Sequence, residues 1–266
     1  MLNNLKLSNI YKKLGIKKND NLYVTGNFGR LGFFESCDNF NNYQLKKINT
    51  FSQHYNILKK MIGKDGTIFF PTHSWSLVKN KDIIFDVKKT PCDYAFSEYL
   101  RTNKKSFRFF HPFNSISGVG KNAKKLEIMK NKNSYGKNTP FDLIAQLNSK
   151  HLSIGIKANI TCTEVHHCEY LAKVPYRYLK KFEQKCLIDK SEVTKNFYLY
   201  VWKKSQIIER DKNLKIFKKN KIKNLIKIEN YENVPIELFD IKSFIKFVTN
   251  YMKEDPYIWT RSIKNK

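Results

Sequence analysis

The sequence is short of acid. It carries 23 Asp and Glu against 50 Lys and Arg over 266 residues, a formal charge of +27 at pH 7. It is also short of arginine, with only Arg30, Arg101, Arg108, Arg177, Arg210 and Arg261. Readers of phosphates and bases lean on arginine for bidentate contacts, so an excess made of lysine argues against a dedicated nucleic-acid reader. Lys, Asn, Ile and Phe share AT-rich codons, which accounts for part of the charge. The remainder favours an anionic ligand or partner. No apolar run approaches the roughly 20 residues that cross a bilayer. The amphipathic first 20 residues lack a signal peptide's apolar block, so a cytoplasmic protein is expected. Cys37, Cys92, Cys162, Cys168 and Cys186 form no CxxC pair, which points to reduced thiols. Cys162, His166, His167 and Cys168 crowd together, yet no second ligand pair at finger spacing exists, so no metal is expected.

A Pro- or Gly-rich linker and an internal repeat are missing too. One domain over residues 1–266 is therefore expected, with a site-bearing core over about 5–180 and substrate-side elements over 181–266. A hydrophobic fraction of 41% with 14% aromatic residues excludes wholesale disorder. Leu2, Leu5, Leu7, Ile10 and Leu14 recur at helical spacing, and Leu22 to Thr25 reads as a strand before a Gly-punctuated loop. Residues 44–62 read as a second helix, broken by Gly63-Lys64-Asp65-Gly66, and Thr67 to Phe70 as a buried strand. Helix, tight turn and strand thus occur twice. The pattern predicts an α/β/α sandwich around a mixed, mostly buried central sheet. Residues 77–94 read as a surface excursion, 95–104 and 123–129 as helices. A helix with proline in its first turn is expected over 139–147, a strand over 151–156 and a last amphipathic helix over 239–252. Alternating apolar and basic residues over 196–232 suggest an additional antiparallel segment.

The most informative stretch is Asn159-Ile160-Thr161-Cys162-Thr163-Glu164-Val165-His166-His167-Cys168-Glu169. Thr161 and Glu164 have capping-box spacing, which predicts a helix starting near Cys162. That helix follows directly on a strand, and such junctions carry the sites of α/β folds. Thr163, His166 and Glu169 then share one helical face, with His166 and Glu169 in reach of each other. A carboxylate beside an imidazole fixes its tautomer and makes a base able to take a proton from an amine or hydroxyl. By itself the pattern is short and equally compatible with a satisfied structural histidine.

Its neighbours narrow the reading. Gly63-Lys64-Asp65-Gly66-Thr67 with Pro71-Thr72, then Arg108-Phe109-Phe110-His111-Pro112-Phe113-Asn114-Ser115, then Gly136-Lys137-Asn138-Thr139-Pro140 precede it. Val174-Pro175-Tyr176-Arg177 follows. This ordered set resembles the aminoglycoside 3-N-acetyltransferase family over about residues 5–180, and more weakly from Phe239 to Trp259. The resemblance implies an acyl-CoA-dependent N-acyltransferase with acetyl-CoA or another acyl-CoA as co-substrate. It implies His166 as the base that deprotonates the acceptor amine, Glu169 as its support, and Thr163 either against the thioester oxygen or as a helix cap. It also implies donor-side roles for His111, Ser115 and Thr72, with His111 alternatively a Pro-anchored loop histidine. Arg108 is placed either at a CoA phosphate or in solvent. The chain departs from the family where a V-H-(S/A)-S-L loop follows the first strand. Val24-Thr25-Gly26-Asn27-Phe28 stands there, so Thr25 and Asn27 become the expected cofactor contacts. No acidic residue precedes Thr163 at the usual place.

The family resemblance leaves the acceptor amine open. An aminoglycoside is a polycation, which a chain at +27 repels at long range, whereas a nucleotide-linked amino sugar is attracted. The expectation is N-acylation of an amino sugar for surface-polysaccharide assembly, with antibiotic acetylation as the alternative. Either a monomer or a homodimer is compatible with it. A basic single-strand binder using Phe197–Trp202 and Lys215–Lys227, or a non-catalytic scaffold, is the alternative from another class.

Overall fold

The computed structural model describes residues 1–80, 82–203, 208–210 and 215–262. The first half of the chain forms α1 (Asn4–Leu14), β1 (Asn21–Gly26), α2 (Tyr43–Ile62), β2 (Thr67–Pro71), α3 (Ser76–Lys79), α4 (Ala95–Asn103), β3 (Phe107–Arg108) and β4 (Ile116–Gly120). Then come α5 (Pro140–Gln146), β5 (Lys150–Ile154), α6 (Ala158–Thr161), α7 (Glu164–Ala172), β6 (Arg177–Ile188), β7 (Ser191–Trp202) and β8 (Ile208–Arg210). The chain finishes with α8 (Lys215–Lys218), α9 (Asn220–Leu225), β9 (Lys227–Tyr231), β10 (Val234–Asp240), α10 (Ile241–Glu254) and β11 (Thr260–Ser262). Among the described residues no helix is long and apolar enough to cross a membrane.

Seven strands form one sheet in the order β3-β4-β2-β1-β5-β10-β9. β1 runs parallel to both β2 and β5, and the other pairs are antiparallel. Side chains alternate across a strand, so the two faces collect different residues. Leu22, Val24, Ile68, Phe70, Leu152 and Ile154 join a core with α1, α2 and α4. Tyr23, Phe69 and Phe239 face the other way, into a core with α5, α7 and α10. Ile241, Phe244, Ile245, Val248 and Met252 make the buried stripe of α10. This is the α/β sandwich around a mixed sheet that the sequence pattern predicts. β2 is buried at every position, as its apolar run requires.

Four expectations change. Residues 123–129 form only a 3-10 turn over Ala123–Leu126. The 77–94 segment is not a free excursion: Leu77 and Phe85 are fully buried in a third core with Phe113, Cys186, Phe197 and Leu199. That core lies under the long hairpin β6–β7, whose first strand was not expected. Residues 196–202 do form a strand, but 215–218 and 220–225 are helical, because Ile222, Leu225 and Ile226 are spaced three and four apart, a helical period. Residues 204–207 and 211–214 of that expected segment lie outside the described residues. Phe197 and Leu199 are buried, while Trp202 on the same strand is exposed.

Four of the six histidines are buried neutral. Burial holds His54, His73 and His111 down to about 3 and His167 to about 4, the last despite the nearby charge of Asp142. His54 is caged by Phe28 and Phe34 at 4.8 and 5.0 Å between ring centroids. In the unfolded chain these rings titrate near 6.5. Below that pH the unfolded state therefore binds protons that the native state refuses, and stability falls as pH falls until the native values are reached. Each ring contributes about 1.4 kcal/mol per pH unit in that window. Lowering the pH from 7.5 to 5.5 is expected to remove on the order of 5 kcal/mol, a large part of a domain's stability. Denaturant midpoints measured at both pH values check this, and an unchanged midpoint would contradict it.

Candidate active site

β5 ends at Ile154 and the chain turns at Gly155, whose φ of 77° is left-handed. A Cβ there would lie 2.1 Å from the Asn27 carbonyl oxygen, and one on Gly26 (φ 132°) would lie 2.0 Å from that of Ile154. The two loops therefore pack backbone on backbone, which only glycine permits. This contact brings the loop after β1 against the junction that leads from β5 through α6 into α7, at the carboxyl ends of parallel strands.

On α7 the His166 Nδ1 lies 2.6 Å from Glu169 Oε2. Glu169 is fully buried, while the His166 side chain is 31% exposed. α7 ends at Lys173 in the left-handed region, and the chain folds back so that Tyr176 and Arg177 reach the same carboxylate. The Tyr176 hydroxyl donates to Oε1 at 2.9 Å, and Arg177 Nε lies 2.8 Å from Oε2. Burial alone would raise the Glu169 carboxyl, but His166, Arg177 and Tyr176 outweigh it and hold it below its usual range. Glu169 is thus an ionised acceptor, so Nδ1 of His166 is assigned the proton and Nε2 the lone pair, with Arg177 Nη2 a second and longer neighbour of Nδ1 at 3.2 Å. Arg177 Nη1 donates to the Tyr200 carbonyl at 2.9 Å, and its guanidinium packs 5.2 Å from the Trp202 ring. Both β6 and β7 thereby help to fix the carboxylate.

A cleft of about 650 Å³ opens beside this junction. Its walls include Phe28, Phe33, Tyr43, Tyr94 and Phe96, with Lys47 and Asp93 as its only charged residues. Thr25, Asn27 and Thr163 all line it, so three of the sequence-derived site residues come together there. Thr163 shares a hydrogen bond of 3.1 Å with the Tyr23 hydroxyl and makes no side-chain cap. His166 stands one turn further along α7. A cleft of this volume, with aromatic walls and with Thr25, Asn27 and Thr163 in its lining, has room for the pantetheine arm of a CoA thioester.

Four other expected contacts are placed elsewhere. Arg108 is buried and donates to the carbonyls of Thr90 and Thr72 at 2.6 and 2.7 Å and to Ser74 Oγ at 3.0 Å. Thr72 Oγ1 pairs with Ser117 Oγ at 2.9 Å. His111 Nδ1 accepts from the amides of Phe113 and Asn114 at 3.3 and 3.2 Å, which ties up its own turn. Ser115 Oγ donates to the Phe109 carbonyl at 2.5 Å. None of the four lines the cleft. Arg108 is not in solvent, and His111 takes the loop-anchoring geometry.

The capping box does not form. Thr161 Oγ1 turns to Ser153 Oγ at 2.9 Å and Glu164 Oε1 to His151 Nδ1 at 2.5 Å, so α7 starts at Glu164 rather than near Cys162. Sequence reasoning noted Tyr176 and Arg177 without giving them a role, because their partner Glu169 is reached only after the chain reverses. None of the five cysteines is in a disulfide. Cys168 is fully buried and burial pushes its thiol far up, which removes it as a nucleophile. Among the described residues no group of three His, Cys, Asp or Glu is placed to hold a metal.

A mixed α/β sandwich carries a carboxylate-anchored imidazole one helical turn from Thr163, which lines the aromatic-walled cleft, an arrangement compatible with a CoA-dependent N-acyltransferase. The sequence profile described as aminoglycoside 3-N-acetyltransferase matches residues 45–253. The chain belongs to that family, and it is an acyl-CoA:amine N-acetyltransferase that uses acetyl-CoA. No curated protein matches the sequence. Among solved structures, aminoglycoside acetyltransferase AAC(3)-Xa superposes with a TM-score of 0.78 at 16% identity, over 95% of this chain and 93% of that one. AAC-IIIb in its binary complex with CoASH gives 0.76 at 17% identity, over 95% and 97%. YokD from Bacillus subtilis gives 0.74 at 16% identity, over 96% and 100%.

The placement of Arg108 yields a prediction. Arg108→Ala strands two buried carbonyls, so it is expected to cost about 2–6 kcal/mol of stability. The loss should appear in the denaturant midpoint. A variant of full stability with weakened CoA binding would instead put Arg108 at the donor.

Proposed function

We propose that the chain acetylates a primary amine of an amino sugar, of the aminoglycoside type, with His166 as general base. The observation that carries this is the His166 Nδ1 bonded to the buried, ionised Glu169, which leaves Nε2 of a part-exposed ring as the acceptor. An acceptor ammonium must lose a proton before its nitrogen can attack a thioester, and Nε2 takes it directly or through a water. Glu169 steadies the imidazolium that results. The attack puts negative charge on the thioester oxygen. Tyr23 and Thr163 share one hydrogen bond between two hydroxyls, so one O–H is left to donate into the cleft. Holding amine and thioester together supplies much of the remaining acceleration.

The family favours an aminoglycoside acceptor over the nucleotide-linked sugar that the net charge suggested. The charge argument is also weaker than the total implies. Lys47 and Asp93 cancel in the cleft, and Arg177 is matched by Glu169 at the base, so the excess lysine charge is spread over the surface. Such charges are screened beyond about 8 Å at physiological salt. A nucleotide-linked amino sugar remains the second reading, favoured by the +27. We assign the reaction to the cytoplasm, where acetyl-CoA is made, and to one catalytic unit over the whole chain.

His166→Ala is expected to lower kcat/KM for amine acetylation by about 10²–10⁴-fold, the usual worth of a positioned base. Retention of full activity would remove His166 from the mechanism. Steady-state assays with acetyl-CoA against kanamycin-type drugs and dTDP- or UDP-linked amino sugars decide the acceptor. Turnover of the drugs but not the sugar nucleotides is the expected outcome, and the reverse would establish the second reading.

A further inference from the structure

A second imidazole–carboxylate pair lies under the cleft and has no part in the amine chemistry. His151 and Glu164 are both fully buried, with Nδ1 2.5 Å from Oε1. The other ring nitrogen, Nε2, lies 2.7 Å from Thr25 Oγ1. The ring is held between Tyr23, edge-on at 5.3 Å, and Phe239, stacked at 4.7 Å. Glu164 Oε2 has no partner at all, so this buried carboxylate is engaged through its imidazole contact alone. A sandwich core needs apolar residues at these positions, because an incompletely satisfied buried polar group costs stability.

The order of atoms defines a direction. With Glu164 Oε1 accepting from Nδ1–H at 2.5 Å, Nε2 is the acceptor and Thr25 the donor. The Thr25 hydroxyl thus points its proton at His151 and turns its lone pairs elsewhere. Thr25 lines the cleft and is 8% exposed. Thr161 Oγ1 also approaches Nε2, at 3.3 Å, but it is closer to Ser153. Hydroxyl, imidazole and carboxylate in this sequence and at these distances make an activated nucleophile.

We propose that Thr25, His151 and Glu164 form a nucleophilic triad that hydrolyses acyl-CoA in the donor cleft when no amine is bound. Thr25 Oγ attacks the thioester carbon while its proton passes to His151 Nε2. The C–S bond breaks, and the departing thiolate takes that proton, giving CoASH and an acyl-threonine ester. Water then attacks the ester with the same base, and carboxylate and free Thr25 result. The tetrahedral oxygen meets the spare hydroxyl proton of the Tyr23–Thr163 pair, which lines the same cleft. The proposal rests on the cleft being the acyl-CoA site.

The test uses the full chain with acetyl-CoA and no amine. CoA binding is followed by calorimetry, thiol release by colorimetry, and the protein by intact mass and peptide mapping after acid quench. The expected result is thiol release above the buffer rate with one acetyl group on Thr25. Thr25→Val should lose release by on the order of 10²-fold or more, while Thr25→Ser retains it. Circular dichroism melts of both variants separate lost chemistry from lost fold. Binding of CoA without release, release unchanged in a folded Thr25→Val, or an adduct on another residue would each overturn the triad and leave the acyltransferase reading intact. Failure to bind CoA would remove both.

Discussion

Two carboxylates stripped of water on one nine-residue helix set the terms for everything around them. Glu164 and Glu169 are both fully buried on α7. A carboxylate in the interior must be compensated by donors or give up its charge. For Glu169 the compensation comes from the same helix and from the chain that reverses after it, through His166, Tyr176 and Arg177. For Glu164 it comes from the neighbouring strand, through His151. The strand β5, the helix α7 and the start of the β6–β7 hairpin are thereby tied together at one junction. The imidazoles are oriented as a by-product of satisfying the acids.

The cleft depends on a different constraint, the backbone contact between two turns. Gly26 and Gly155 let the loop after β1 lie against the loop after β5 without an intervening side chain. That closeness is what carries Thr25 and Asn27 to the same opening as Thr163. The cleft they open is walled largely by aromatic rings, with Lys47 and Asp93 among its lining residues.

Much of the fold was legible from local pattern. The helices at 4–14, 43–62, 95–103 and 241–254 follow apolar spacing and their caps, and β1, β2 and β5 follow short apolar runs between turn residues. The family motifs likewise pointed to His166 and Glu169, whose contact needs only three residues of helix. Where reading failed, a partner from elsewhere had intervened. Thr161 and Glu164 have capping-box spacing, but Ser153 and His151 on β5 engage them instead of the helix amides. Arg108 and His111 sit in a motif associated with the donor, yet their polar atoms are consumed by carbonyls and amides of neighbouring loops. β6 went unrecognised because its hairpin is half exposed and follows no strict alternation.

The sequence by itself determined the layer order, the family and the base-bearing face of α7, because each is written in contacts within a few residues. Only the tertiary structure decided which hydroxyls line the cleft and which groups consume the polar atoms of Arg108 and His111. The Thr25–His151 contact joins segments 126 residues apart, and no local spacing encodes it.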